Sequence, residues 1–90
     1  MNHYEEMERG RHAEAVLENP AFASAFEQIE KEIVTQWKNS KDPSEREKLH
    51  LSLSLLQRLE SVLKQALTNG TVAAQIVERQ SRLGKLLQRD

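Results

Sequence analysis

Apolar side chains recur every three or four residues along most of this chain, which is the period of an amphipathic helix. Between residues 20 and 39 they fall on one stripe, formed by Phe22, Ala25, Phe26, Ile29, Ile33 and Trp37. Asn19 is a good helix cap and Pro20 disfavours helical geometry in the residue before it, so a helix is predicted over 20–39. The polar connection at 39–42 is short, which is typical of antiparallel neighbouring helices.

The next helix has both ends indicated in the sequence. Asp42 can accept a hydrogen bond from the first turn, Pro43 has no amide proton to leave unbonded, and Glu45 can complete a capping box. Gly70 suits the left-handed residue just beyond a helix end, so this helix is predicted over 43–69. Leucines alternate with polar residues at 49–55, as in a strand, but leucine lacks the β-branching that strands favour. A helix remains the prediction.

This helix carries more apolar surface than one neighbouring helix can cover. Five leucines share one face, namely Leu49, Leu53, Leu56, Leu63 and Leu67. Four more apolar residues lie on flanking positions, namely Leu51, Leu55, Leu59 and Val62. We predict that this second set is a self-association interface and that the protein is an oligomeric helical bundle.

Weaker segments precede and follow this pair of helices. Gly10 interrupts a helical pattern at 3–18, which is then either one broken helix or an arm over 1–10 followed by a short helix. Thr71 is predicted to cap a fourth helix over 72–89. The predicted fold is therefore a single all-α domain over 1–90: an antiparallel helical hairpin with additional N- and C-terminal helices.

The short length of the chain and its lack of cysteine limit the ways in which its fold can be stabilised. Ninety residues bury only about 60–65% of the unfolded surface, and without cysteine neither disulfides nor thiolate metal sites can contribute. Idealised helix packing and assembly are the remaining routes to stability. No apolar run approaches the roughly 20 residues of a membrane span, and the first residues do not resemble a signal peptide. We expect a cytoplasmic protein without membrane contact.

Candidate chemistry is sparse. His3, His12 and His50 lack a metal-binding spacing, and no serine lies in a nucleophile elbow. We therefore predict no catalytic residue, no metal, no cofactor and no enzymatic activity.

Two features suggest partners. Arg79, Arg82, Lys85 and Arg89 form a basic flank that could contact phosphates, although the net charge of −1 and the lack of accompanying aromatic residues favour an ordinary solvated helix. Trp37, the single tryptophan, either closes the core near the 39–42 turn or anchors a partner.

One stretch resembles a family. Arg9-Gly10, the run Leu17-Glu18-Asn19-Pro20-Ala21-Phe22, Trp37, and the helix start from Arg46 to Leu49 are similar to small helical bacteriophage proteins of this length. The resemblance covers residues 9–75 and implies a virion or head-assembly accessory role, in the cytoplasm of a bacterial host or within a virion. It implies a phage or host protein as partner and no catalytic residue. A nucleic-acid-associated packaging or regulatory factor, and an inhibitor of a host protein, stay open as alternatives.

Overall fold

The computed structural model describes residues 2–87, which form three helices and no strand within that stretch. They are α1 (His3–Glu18), α2 (Pro20–Asn39) and α3 (Pro43–Leu87). The all-α prediction is confirmed. The bounds of α2 and the start of α3 agree with those predicted from the sequence.

The capping residues act as the sequence predicted. The Asn19 side-chain oxygen accepts hydrogen bonds from the amides of Ala21 at 2.8 Å and Phe22 at 3.2 Å, which satisfies two free donors of α2. The Asp42 side chain accepts from the amide of Ser44 at 3.1 Å and serves α3 in the same way. These caps explain why both helices begin at a proline.

The predicted end of the third helix at Gly70 is wrong. α3 continues to Leu87, and no glycine among the described residues has a positive φ. The Thr71 hydroxyl donates to the carbonyl of Leu67 at 3.1 Å, a bond within the helix, so Thr71 caps no new helix. Residues 72–87 of the predicted fourth helix are the last part of α3, and residues 88 and 89 lie outside the described residues.

Gly10 also lies inside a helix. α1 begins at His3, where the Asn2 side chain accepts from the amide of Glu5 at 2.8 Å, and it runs to Glu18. The structure therefore differs from the expectation of an arm or a break near residue 10. Gly10 and Gly70 thus both lie inside helices instead of interrupting or ending them, and the packing of the two glycines against each other explains why.

The chain divides into two compact units. The first is Met1–Ala15 with Leu63–Asp90, described over residues 2–15 and 63–87. Its helices meet where Gly10 and Gly70 are buried: a Cβ added to either residue would lie 2.8 Å from the Cα of the other. Ala13 and Ala73 are also buried, at 4% and 0% exposure. Only residues this small allow two helix backbones to approach so closely.

The second unit is Val16–Val62. The Arg46 guanidinium joins α3 to the end of α2: Nη1 donates to the carbonyls of Trp37 at 2.7 Å and Ser40 at 3.0 Å. The same guanidinium lies 4.0 Å from the centre of the Trp37 ring. Arg46 thus satisfies carbonyls that the end of α2 leaves free and forms a cation–π contact.

Candidate association surface

Four apolar side chains of α3 remain largely accessible, and we call them the leucine surface. Leu51, Leu55, Leu59 and Val62 are exposed by 60%, 72%, 47% and 41%. At 100° per residue they fall within an arc of about 80° on the helix. Leu49, Leu53 and Leu56 are half-buried, so the second unit covers one face of the helix and leaves this neighbouring face uncovered.

α2 widens this surface. Ile29, exposed like the four residues of α3, lines an open hollow of about 600 Å³ together with Leu55, Leu59 and Val62. Residues from two helices therefore contribute to one apolar region. Contiguous exposed apolar patches on small proteins often mark association sites, whereas single exposed side chains do not.

The hollow has few polar groups at its edge. Arg58 and Ser52, both on α3, line it with the apolar residues. The Ser52 hydroxyl donates to the carbonyl of Lys48 at 2.9 Å. Its donor is thus already bonded, and covering this serine would leave no unpaired hydroxyl proton.

Trp37 lies apart from this surface and is 41% exposed. Arg46 holds one side of the ring, and a smaller hollow of about 230 Å³ lies beside it. The hollow is lined by Trp37 with Ile33, Val34, Leu49, His50 and Leu53. The Trp37 side chain is neither fully buried at the turn nor fully exposed, so both of its predicted roles, closing the core and anchoring a partner, remain open.

The basic flank is only partly within the described residues. Arg79, Arg82 and Lys85 are exposed on the last part of α3, whereas Arg89 lies outside the described residues. The structure places these three on the exposed surface of a helix.

The ion pair of Lys31 and Glu27 lies on the exposed surface of α2, with 2.9 Å between nitrogen and oxygen. The hydrogen bond from Lys31, reinforced by its charge, lowers the pKa of Glu27, and the same bond raises the pKa of Lys31. Both groups are solvated, so the pair contributes little to stability.

Across residues 2–87, no group of three or more His, Cys, Asp or Glu side chains is placed to hold a metal ion. None of the three helices, as far as they are described, is long and apolar enough to span a membrane.

The contact between Gly10 and Gly70 was missed by sequence reasoning. Its signal is a Gly-x-x-Ala pattern that occurs twice, as Gly10 to Ala13 and as Gly70 to Ala73. Small residues three apart lie on one helix face, and two such faces can pack backbone against backbone. Each glycine considered alone suggested a helix break or a helix end.

Comparison with protein-family models, curated proteins and solved structures finds no match to this chain.

Proposed function

We propose that this chain is a small non-enzymatic helical protein that acts by binding a second copy of itself through the leucine surface. The observation that carries the proposal is the exposure of Leu51, Leu55, Leu59 and Val62 side by side on α3. Within the chain, α2 and residues 43–62 of α3 would form an antiparallel hairpin. The bonds from Arg46 to Trp37 and Ser40 support that arrangement.

The wider role follows from the resemblance to small phage proteins. On that basis we place the protein in the cytoplasm of a bacterial host, as an accessory of virion or head assembly. A self-associating helical protein without a chemical site suits such a role. A phage or host protein would be a further partner.

The test is solution mass by light scattering at micromolar concentration, where we expect an oligomer. The double variant Leu55→Glu with Leu59→Glu should dissociate it and keep its helix content. Fully burying a leucine contributes about 1.5–3 kcal/mol, and each residue counts twice in a two-fold dimer. The exposed fractions of Leu55 and Leu59 then predict affinity weakened by roughly 100-fold or more.

A matched control uses leucines elsewhere on α3. Leu83 and Leu86 are 53% and 60% exposed, and replacing both by glutamate should leave the oligomer mass unchanged. A wild-type protein that is monomeric at micromolar concentration would refute the proposal. Equal dissociation by both double variants would show that the leucine surface has no special role.

A second candidate function is nucleic-acid binding, favoured by the joint exposure of Arg79, Arg82 and Lys85. It predicts salt-dependent binding to DNA or RNA, because phosphate contacts release counterions. Replacing the three residues by glutamine should abolish that binding. Failure of the wild-type protein to bind either nucleic acid at low salt would eliminate this candidate.

A further inference from the structure

The spacing of the leucine surface is nearly symmetric about its own centre. Leu51 and Leu55 lie on one side of the midpoint between residues 56 and 57, and Leu59 and Val62 lie on the other. A two-fold axis through that midpoint places Leu51 opposite Val62 of a second copy. It brings Leu55 and Leu59 of the two copies within one residue of each other, about 1.5 Å along the helix. We infer that the partner of the leucine surface is another copy of this chain, with the two α3 helices antiparallel.

The inference rests on the proposed function and adds an orientation to it. Two-fold interfaces are self-complementary, because the same patch must face itself after rotation. Here the rotation matches Leu51 with Val62 directly and brings Leu55 and Leu59 within one residue of each other, so every member of the leucine surface lies near an apolar side chain of the second copy. An unrelated partner would require no such symmetry in the spacing.

The basic residues beside the leucine surface favour an antiparallel over a parallel arrangement of the two α3 helices. Arg58 lines the same hollow as Leu55 and Leu59, and Lys48 precedes Leu51 by three residues on the same side of α3. A parallel two-fold pairing sets Arg58 against Arg58 and Lys48 against Lys48, and such like-charge contacts are costly.

The antiparallel pairing removes both like-charge contacts. About the same midpoint, Arg58 comes opposite Leu55, where its aliphatic stem can cover apolar surface while the guanidinium reaches water. Lys48 comes opposite Gln65, which is neutral. The charges on this side of α3 therefore oppose one orientation and permit the other.

Close approach is also possible along this face. Ser52, which lines the hollow, is small and has its hydroxyl bonded within its own helix. Ile29 adds apolar area from α2, so the second copy would contact both helices of the second unit.

The chain has no cysteine, which makes disulfide cross-linking a direct test. Two single variants are made, Leu51→Cys and Val62→Cys, and one of them carries a tag that changes its mass. In the antiparallel dimer, Leu51 and its own copy lie about 16 Å apart along the axis, at 1.5 Å per residue. A disulfide needs Cα atoms within about 7 Å, so neither variant alone should cross-link.

The mixture should cross-link. After mild oxidation at micromolar concentration, Leu51→Cys mixed with Val62→Cys should give the tagged–untagged product as the dominant covalent dimer. Thr35→Cys, exposed on α2 away from the hollow, serves as the control for random collision and should give none when mixed with either variant. Helix content by circular dichroism checks that every variant is folded.

Each other outcome overturns a defined part of the reasoning. Strong cross-linking of Leu51→Cys with itself would establish a parallel contact and overturn the orientation, while self-association through the leucine surface would stand. A wild-type oligomer whose mixed variants do not cross-link would place the interface elsewhere. A wild-type monomer would refute the proposed function as well as this inference.

Discussion

Replacing Gly70 by alanine tests whether the contact between Gly10 and Gly70 holds the first unit together. Alanine inside a helix is normally more stable than glycine by about 1 kcal/mol. At position 70 the new Cβ would lie 2.8 Å from the Cα of Gly10 and 3.0 Å from the carbonyl oxygen of Glu6. Both are backbone atoms that cannot rotate away, so the helices must separate.

Gly84 provides the matched control in the same helix. A Cβ at that position would meet nothing within 4 Å, so Gly84→Ala should show only the gain in helix propensity. Overpacking a close contact costs about 1–3 kcal/mol. We therefore expect Gly70→Ala to be less stable than Gly84→Ala by about that amount.

The assay is thermal unfolding followed by far-ultraviolet circular dichroism, with all proteins at one concentration because association would shift the midpoint. For a domain of this size, 1 kcal/mol corresponds to about 4–8 °C. Amide hydrogen exchange in α1 should rise in Gly70→Ala and stay unchanged in Gly84→Ala. Equal stabilisation by both substitutions would refute the close backbone contact.

Gly10→Ala extends the same test. Its Cβ would meet the Cα of Gly70 at 2.8 Å and the carbonyl oxygen of Ala66 at 3.1 Å. The double variant should cost less than the sum of the two single ones, since the first substitution has already moved the helices apart. Additive costs would indicate that the two glycines act independently.

The remaining predictions concern the second unit. Asn19→Ala should reduce stability by about 0.5–2 kcal/mol in thermal unfolding, because two amides of α2 lose their acceptor; no change would exclude the cap. Arg46→Lys should change the tryptophan fluorescence of Trp37, because the stacked guanidinium and its paired bonds are lost; an unchanged spectrum would contradict the stacking. Lys31 lowers the pKa of Glu27 below its ordinary 4.5. The stability that this ion pair contributes is therefore present above pH 4.5, and it is lost as the pH falls through the lowered pKa of Glu27 in the folded protein. Glu27→Gln should accordingly reduce helix content slightly at pH 7 and not at pH 2, and an equal effect at both would contradict the ion pair.

The helix starts could be predicted because they depend on neighbouring residues only. Asn19 with Pro20, and Asp42 with Pro43, specify where α2 and α3 begin, and the cap bonds form between residues two or three apart. Hydrophobic spacing likewise identified the leucine surface as lying beside the face directed into the second unit.

The end of α3 could not be predicted in the same way. A glycine after Asn69 is equally compatible with a helix end and with a contact that needs a missing Cβ. The choice depends on Gly10, which lies 60 positions earlier in the sequence. Packing between residues distant in the sequence decides the conformation at Gly70, and the residues around Gly70 alone do not specify it.

The Gly10–Gly70 contact has a consequence for how the sequence can change over time. A side chain added at either position would clash with the main chain of the opposite helix, and a smaller side chain at a third position cannot relieve that clash. Descendants should therefore keep both glycines or lose them together, so that divergence at these positions is correlated even where the surrounding surface drifts freely.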